Sequence, residues 1–187
     1  METNTCSVES SVTIHDKSFR LFLSEDELQQ SIARLGQQLT DDYRDRNPIF
    51  VVVLNGAFIF AADLLKCVET PCEVTFVKVA SYQATQSTGE VEEILGLEED
   101  LHNRHVVIVE DIVDTGLTMS ALLDSVREMR PASVEVATLL LKPKALKRPL
   151  SIRYVGNEIE NRFVVGFGLD YDGLGRNLRH LYQLSTQ

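Results

Sequence analysis

The stretch Val106-Val-Ile-Val-Glu110-Asp111-Ile112-Val113-Asp114-Thr115-Gly116-Leu117-Thr118 sets three carboxylates, two hydroxyls and a glycine directly behind four apolar residues. The apolar run predicts a buried strand, Val106 to Val109, that delivers Glu110 and Asp111 at its carboxyl end, where open parallel sheets bind ligands. Two adjacent carboxylates there are costly to desolvate unless something neutralises them or donates hydrogen bonds to them. A vicinal diol offers two donors, and magnesium offers charge. Asp114-Thr-Gly-Leu-Thr118 then turns into a helix. Its hydroxyls, its glycine and the free N–H groups of a helix start make a seat for an anion, and phosphate is the natural occupant. One short segment can therefore grip a ribose 5-phosphate. Acidic pairs after apolar strands also occur in receiver domains and nucleotide hydrolases, but no G-x-x-x-x-G-K-[ST] loop accompanies this one. Asp114 has two compatible readings, a general base and the N-cap of the following helix.

Holding such a site takes a sheet with its helices. Ser24-Glu-Asp-Glu27 has capping-box spacing. Behind it Leu28, Ile32, Leu35 and Leu39 recur at helical period up to Asn47-Pro48. Ile49 to Leu54 reads as a buried strand, Asn55-Gly56 as its break and Ala57 to Cys67 as a helix. A second strand follows over Glu73 to Ala80. Residues 81–104 read as a long functional loop or solvated excursion, with a small polar part from Ser81 to Gly89 and an acidic part from Glu90 to Asp100. Ala121 to Met129 is predicted helical, with Arg127 and Arg130 at its negative end and Pro131 closing it. Val134 to Leu141, Ile152 to Val155 and Phe163 to Gly166 are further strand candidates. Buried strands alternating with amphipathic helices predict an α/β fold, a central and mostly parallel sheet flanked by helices.

The chain of 187 residues, 44% apolar, suffices for one domain with a real core and is too short for two ordinary ones. Its net charge of −10 disfavours nucleic acid and anionic membrane surfaces as partners. No stretch approaches a membrane span, and the N-terminus shows no export signal. Cys6, Cys67 and Cys72 are odd in number and unclustered, which predicts reduced thiols in a cytoplasmic protein. His15, His102, His105 and His180 lack ligand spacing.

Glu110 to Thr118 resembles the phosphoribosyl-diphosphate signature of the type I phosphoribosyltransferases, and the rest of the chain resembles their hypoxanthine-guanine branch. Leu54-Asn55-Gly56-Ala57 is similar to the short pyrophosphate-binding turn. Ser81-Tyr82, with Ser87-Thr88-Gly89 beyond, resembles the loop that closes over the site. Lys142 stands where the branch has a lysine that binds the purine oxygen. Phe163-Val164-Val165-Gly166 with Leu169-Asp170-Tyr171 resembles the purine-stacking and metal-contact segment, and Arg176 falls where the branch has an arginine that contacts pyrophosphate. The likeness runs in order from about Val51 to Arg176.

This resemblance implies a single domain with its core at about 45–145, a flexible loop at about 81–104 and a small hood from about 1–23 and 150–187. It implies magnesium-dependent transfer of a phosphoribosyl group from phosphoribosyl diphosphate to a 6-oxopurine, giving IMP or GMP and pyrophosphate. Asp114 would be the base. Glu110, Asp111 and Asp170 would contact magnesium. Asn55, Gly56, Ser81, Tyr82, Glu110 through Thr118 (including Ile112, Val113, Thr115, Gly116 and Leu117), Lys142, Phe163, Val164 and Arg176 would bind substrate. A homodimer or homotetramer is expected on the same ground. Rival readings are a nucleotide-sensing regulator on the same fold, which would want a basic face, and a transferase for xanthine or another base.

Overall fold

The computed structural model describes residues 10–80, 92–95 and 97–185. The elements are β1 (Ser11–Ile14), β2 (Lys17–Leu23), α1 (Glu25–Asp42), β3 (Ile49–Leu54), α2 (Phe58–Lys66), β4 (Glu73–Ala80) and β5 (Glu92–Leu95). They continue with β6 (His105–Val113), α3 (Leu117–Glu128), β7 (Ser133–Leu141), β8 (Tyr154–Glu158), β9 (Val164–Val165) and β10 (Leu181–Leu184).

Six strands form the main sheet in the order β5-β4-β3-β6-β7-β8. All pairings are parallel except that of β5 with β4. The apolar runs of β3, β6 and β7 are buried on both faces, as a covered parallel sheet requires. One face packs on α1 and α2 through Phe50, Val52, Val107 and Val109. The other packs on α3 through Val51, Val53, Val106 and Ile108. The predicted stripe of α1 is fully buried, and its capping box is closed: Ser24 N–H donates to Glu27 Oε2 at 2.8 Å while Glu27 N–H donates to Ser24 Oγ at 3.3 Å. Such a cap contributes about 1 kcal/mol.

A second, antiparallel sheet, β1-β2-β10-β9, joins the two ends of the chain around Phe19, Val165 and Tyr182. It stands at the carboxyl end of the main sheet, because β9 follows directly on Phe163 and that residue faces the ends of β6 and β7.

Several boundaries differ from those the sequence predicts. Helix α1 stops at Asp42, well before Asn47-Pro48; Tyr43 turns inward as its C-cap and is buried. Strand β6 does not end at Val109 but runs to Val113, because β7 continues to pair with it. Helix α3 begins at Leu117 rather than Ala121, and β8 lies two residues later than Ile152. The acidic excursion contains β5, which pairs with Lys78–Ala80, and it ends near a fully buried Leu101. Ser81 and Tyr82 lie outside the described residues.

Candidate active site

Chain order sets the location of the site. From β3 the chain passes through α2 outward to β4, whereas β6 lies on the opposite side of β3 and leads on to β7 and β8. The direction of progression therefore reverses between β3 and β6, and a crevice opens there at the strand ends. Pairing of β6 with β3 stops at Val109, while pairing with β7 persists to Val113. Glu110 and Asp111 are thus still within a strand, but on the β3 side they face the β3–α2 turn instead of a ladder.

That turn is packed against the acidic pair. A Cβ on Gly56 would overlap the Asp111 carboxylate oxygen Oδ2, so only glycine lets the backbone come this near. Asp111 is 8% exposed, and its Oδ1 accepts the Ile112 N–H at 2.7 Å. Glu110 Oε1 accepts the Asp111 N–H at 3.2 Å. Burial, followed by the neighbouring Asp111 charge, pushes the Glu110 carboxyl well above the usual glutamate range. A cation or a pair of hydroxyl donors at this point would favour its ionised form again.

Beyond Val113 the chain forms a shallow hollow of about 120 Å³, lined by Glu110, Ile112, Val113, Asp114, Thr115, Gly116, Thr118 and Met119. Gly116, not Asp114, is the N-cap of α3; its φ of 73° is the left-handed conformation that glycine adopts without strain. The helix makes its first backbone bond from Ser120 N–H to the Gly116 carbonyl, so the amides of Leu117, Thr118 and Met119 have no intrahelical acceptor. Leu117 N–H reaches only the Thr115 hydroxyl, at 3.5 Å. Asp114 is thereby free of the capping role, and its carboxylate turns elsewhere.

A larger hollow of about 310 Å³ adjoins the first and shares Ile112 and Asp114 with it. Gly56, Asp111, Lys142, Phe163, Val164, Leu169, Asp170 and Arg176 complete its lining. Lys142 leaves the end of β7, is 6% exposed, and places Nζ 2.7 Å from Asp114 Oδ2. An ammonium this deeply buried needs such a partner. Phe163 presents a half-exposed ring at the rim beside buried Val164. Arg176 is held by Asp170 at 2.6 Å and donates to the Gly168 carbonyl at 2.7 Å, and Asp170 also accepts the Gly173 N–H.

The two hollows thus gather Gly56, Glu110, Asp111, Ile112, Val113, Asp114, Thr115, Gly116, Thr118, Lys142, Phe163, Val164, Asp170 and Arg176. Asn55 and Leu117 belong to the same turns but line neither hollow, and both side chains are exposed. Met119 is a lining residue that the sequence reading missed; its place immediately after the predicted turn was the available signal. Gly168 was missed too, and its role rests on a contact with a turn more than a hundred residues away. Among the described residues no cluster of three or more His, Cys, Asp or Glu makes a self-sufficient metal site. Asp111 and Asp170 nevertheless share the larger hollow, and one or two carboxylates completed by substrate oxygens is how magnesium is commonly bound.

Comparison with known proteins agrees with this geometry. Residues 24–172 match the phosphoribosyl transferase domain model. The chain is 43% identical over 170 residues to the bifunctional protein TilS/HprT of Listeria monocytogenes, of which it spans only about a quarter, 26% of the length. It is 38% identical to the hypoxanthine-guanine phosphoribosyltransferase of Staphylococcus epidermidis, covering 93% of this chain and 98% of that one. It is 40% identical to that of Bacillus subtilis, covering 87% and 91%. The crystal structure of a hypoxanthine phosphoribosyltransferase from Staphylococcus aureus superposes with a TM-score of 0.85 at 38% identity, over 89% of this chain and 91% of that one. With the phosphate-type turn, the acidic strand end and the lysine-aromatic hollow all in place along the chain, the protein belongs to the phosphoribosyltransferase family, in its hypoxanthine-guanine branch.

Proposed function

We propose that the chain transfers the 5-phosphoribosyl group of phosphoribosyl diphosphate to hypoxanthine and guanine, yielding IMP or GMP and pyrophosphate, in purine salvage. The observation that carries this reading is that two adjoining hollows share Asp114. One has the open amides and hydroxyls that suit a phosphate, the other a buried ammonium and an aromatic rim that suit an oxopurine.

In this reading the 5-phosphate rests on the Leu117–Met119 amides with the Thr115 and Thr118 hydroxyls. The ribose hydroxyls donate to Glu110 and Asp111, whose negative charge lies near the anomeric carbon as it acquires oxocarbenium character. The heterocycle lies against Phe163 and Val164. Lys142 donates to its exocyclic oxygen, which favours an oxopurine over adenine, whose amino group would leave the ammonium without an acceptor. Asp114 takes the proton from the imidazole ring of the base as a ring nitrogen attacks. Asp111, Asp170 and Glu110 are the residues that would hold magnesium, which when bound supplies charge stabilisation to the departing pyrophosphate. The Gly56 turn and Arg176 flank the space for that group. The Ser81–Gly89 segment is proposed to close over the site and exclude water.

The same reading assigns the chain to the cytoplasm, in keeping with free Cys67 and Cys72. No helix among the described residues is long and apolar enough to cross a membrane. Assembly as a homodimer or homotetramer is supported by large apolar side chains, Phe58, Val74 and Phe76, left open to solvent on α2 and β4.

The test is to supply phosphoribosyl diphosphate and magnesium with hypoxanthine, guanine, xanthine, adenine or uracil and to follow pyrophosphate release. Turnover with hypoxanthine and guanine is expected; release with uracil alone, or with no base, overturns the reading.

A further inference from the structure

Phe163, taken above as the platform for the base, would lose affinity if its ring had to be ordered on each binding event, because immobilising a free side chain opposes association. The structure shows what holds it. Phe163 meets Tyr171 edge to face, with ring centroids 5.8 Å apart and planes at 83°, and fully buried Phe19 lies 6.2 Å from one and 6.0 Å from the other. Tyr171 is in turn clasped by the β1–β2 hairpin turn, residues that the mechanism does not use. Its hydroxyl donates to Asp16 Oδ1 at 2.8 Å, and His15 packs against its ring at 5.8 Å. Lys17 Nζ stands 4.3 Å from the Tyr171 centroid and 6.0 Å from that of Phe163. Both distances fall within the range of cation–π attraction. Lys17 therefore bridges the two rings from a chain segment nearly 150 residues away in sequence.

We propose that Lys17 is a positioning residue for the base seat, its ammonium locking Tyr171 and Phe163 into the orientation in which Phe163 receives the purine. The inference rests on the proposed function, since it takes Phe163 as the platform. Phe19 anchors the same rings but belongs to the core, so its removal would loosen the whole second sheet. Lys17 is partly exposed, and its charge can be removed while the packing of its stem is kept.

The experiment compares Lys17→Met, which keeps the stem and loses the ammonium, with Lys17→Arg, which keeps a cation able to stack on aromatic faces. The readouts are steady-state kinetics and calorimetric titration of GMP into each variant. Lys17→Met is expected to raise the KM for guanine and the Kd for GMP about two- to fivefold. Its kcat and its KM for phosphoribosyl diphosphate should stay unchanged, and Lys17→Arg should restore wild-type values. An unchanged guanine KM and GMP Kd in Lys17→Met overturns the proposal. So does an equal rise in the KM for phosphoribosyl diphosphate, which would report general distortion, or a failure of arginine to rescue. If the unaltered protein turns over no base, the proposed function fails and this inference falls with it; if it is active, the comparison judges Lys17 alone.

Discussion

Lys142 Nζ and Asp114 Oδ2 are 2.7 Å apart, joining the end of β7 to the β6–α3 turn at the boundary between the two hollows. The pair sets a donor beside an acceptor, the pattern that an oxopurine edge with a neighbouring ring N–H presents in complement. Until a base arrives Asp114 serves Lys142, so the buried ammonium is not left alone.

Removing the acceptor alone tests the general base. Asp114→Asn keeps the shape of the turn and, since Gly116 rather than Asp114 caps α3, leaves the helix start intact. Turnover is expected to fall by about two orders of magnitude, with binding of phosphoribosyl diphosphate preserved by calorimetry. Near-normal turnover would remove Asp114 from proton transfer.

Removing the donor tests specificity. Lys142→Met should raise the KM for hypoxanthine and guanine by roughly ten- to a hundredfold and erode discrimination against adenine, because one hydrogen bond to the exocyclic oxygen is lost. Competition assays with paired bases measure the ratio directly. A uniform loss with unchanged selectivity would assign Lys142 a purely structural role.

Gly56→Ala forces a methyl into the space held by the Asp111 carboxylate. Either the turn or the carboxylate must move. The expected result is a loss of about 1–3 kcal/mol in stability, seen in thermal melts, together with at least a tenfold weaker affinity for phosphoribosyl diphosphate.

The acidic pair predicts a pH dependence of the ligand-free protein. Burial and Asp111 raise the Glu110 carboxyl above its ordinary 4.5, so above that pH the folded chain holds a proton that the unfolded chain releases. Stability from this group is therefore complete below 4.5 and is lost as pH rises through the elevated value. Glu110→Gln should flatten that decline and melt at a higher temperature than wild type at neutral pH without magnesium or substrate. Parallel melts from about pH 5 to 8 decide it; identical slopes for the two proteins would show that Glu110 ionises freely.

Much of this architecture was legible in the residues. The apolar runs of β3, β6 and β7 have one reading, as covered strands, and the Ser24/Glu27 cap fixed the start of α1. The Asp-Thr-Gly-Leu-Thr turn announced a helix start, and the amides of Leu117, Thr118 and Met119 are open there. What was not legible depends on partners distant in sequence. Strand β6 runs past Val109 only because β7 pairs with it. Strands β1 and β2 form a local hairpin, but their sheet is completed only where β10 and β9 join it from a distant part of the chain. The Lys142–Asp114 contact and the hairpin clasp on Tyr171 likewise arise from tertiary approach, which periodicity does not encode.

A Cβ on Gly168, whose φ is 102°, would overlap the carbonyl oxygen of Gly56, just as one on Gly56 would overlap Asp111. Three segments from distant parts of the chain are thus stacked backbone upon backbone upon carboxylate, with no side chain between them to absorb a shift. The compartment proposed for the heterocycle and the one proposed for the sugar are mechanically a single piece at this seam. A lineage that changed its preferred base could do so at Phe163, Val164 or Lys142, none of which takes part in this stack. Any change that displaced the 168 loop would be felt through Gly56 by the Asp111 carboxylate, so this seam is the one adaptation must leave alone.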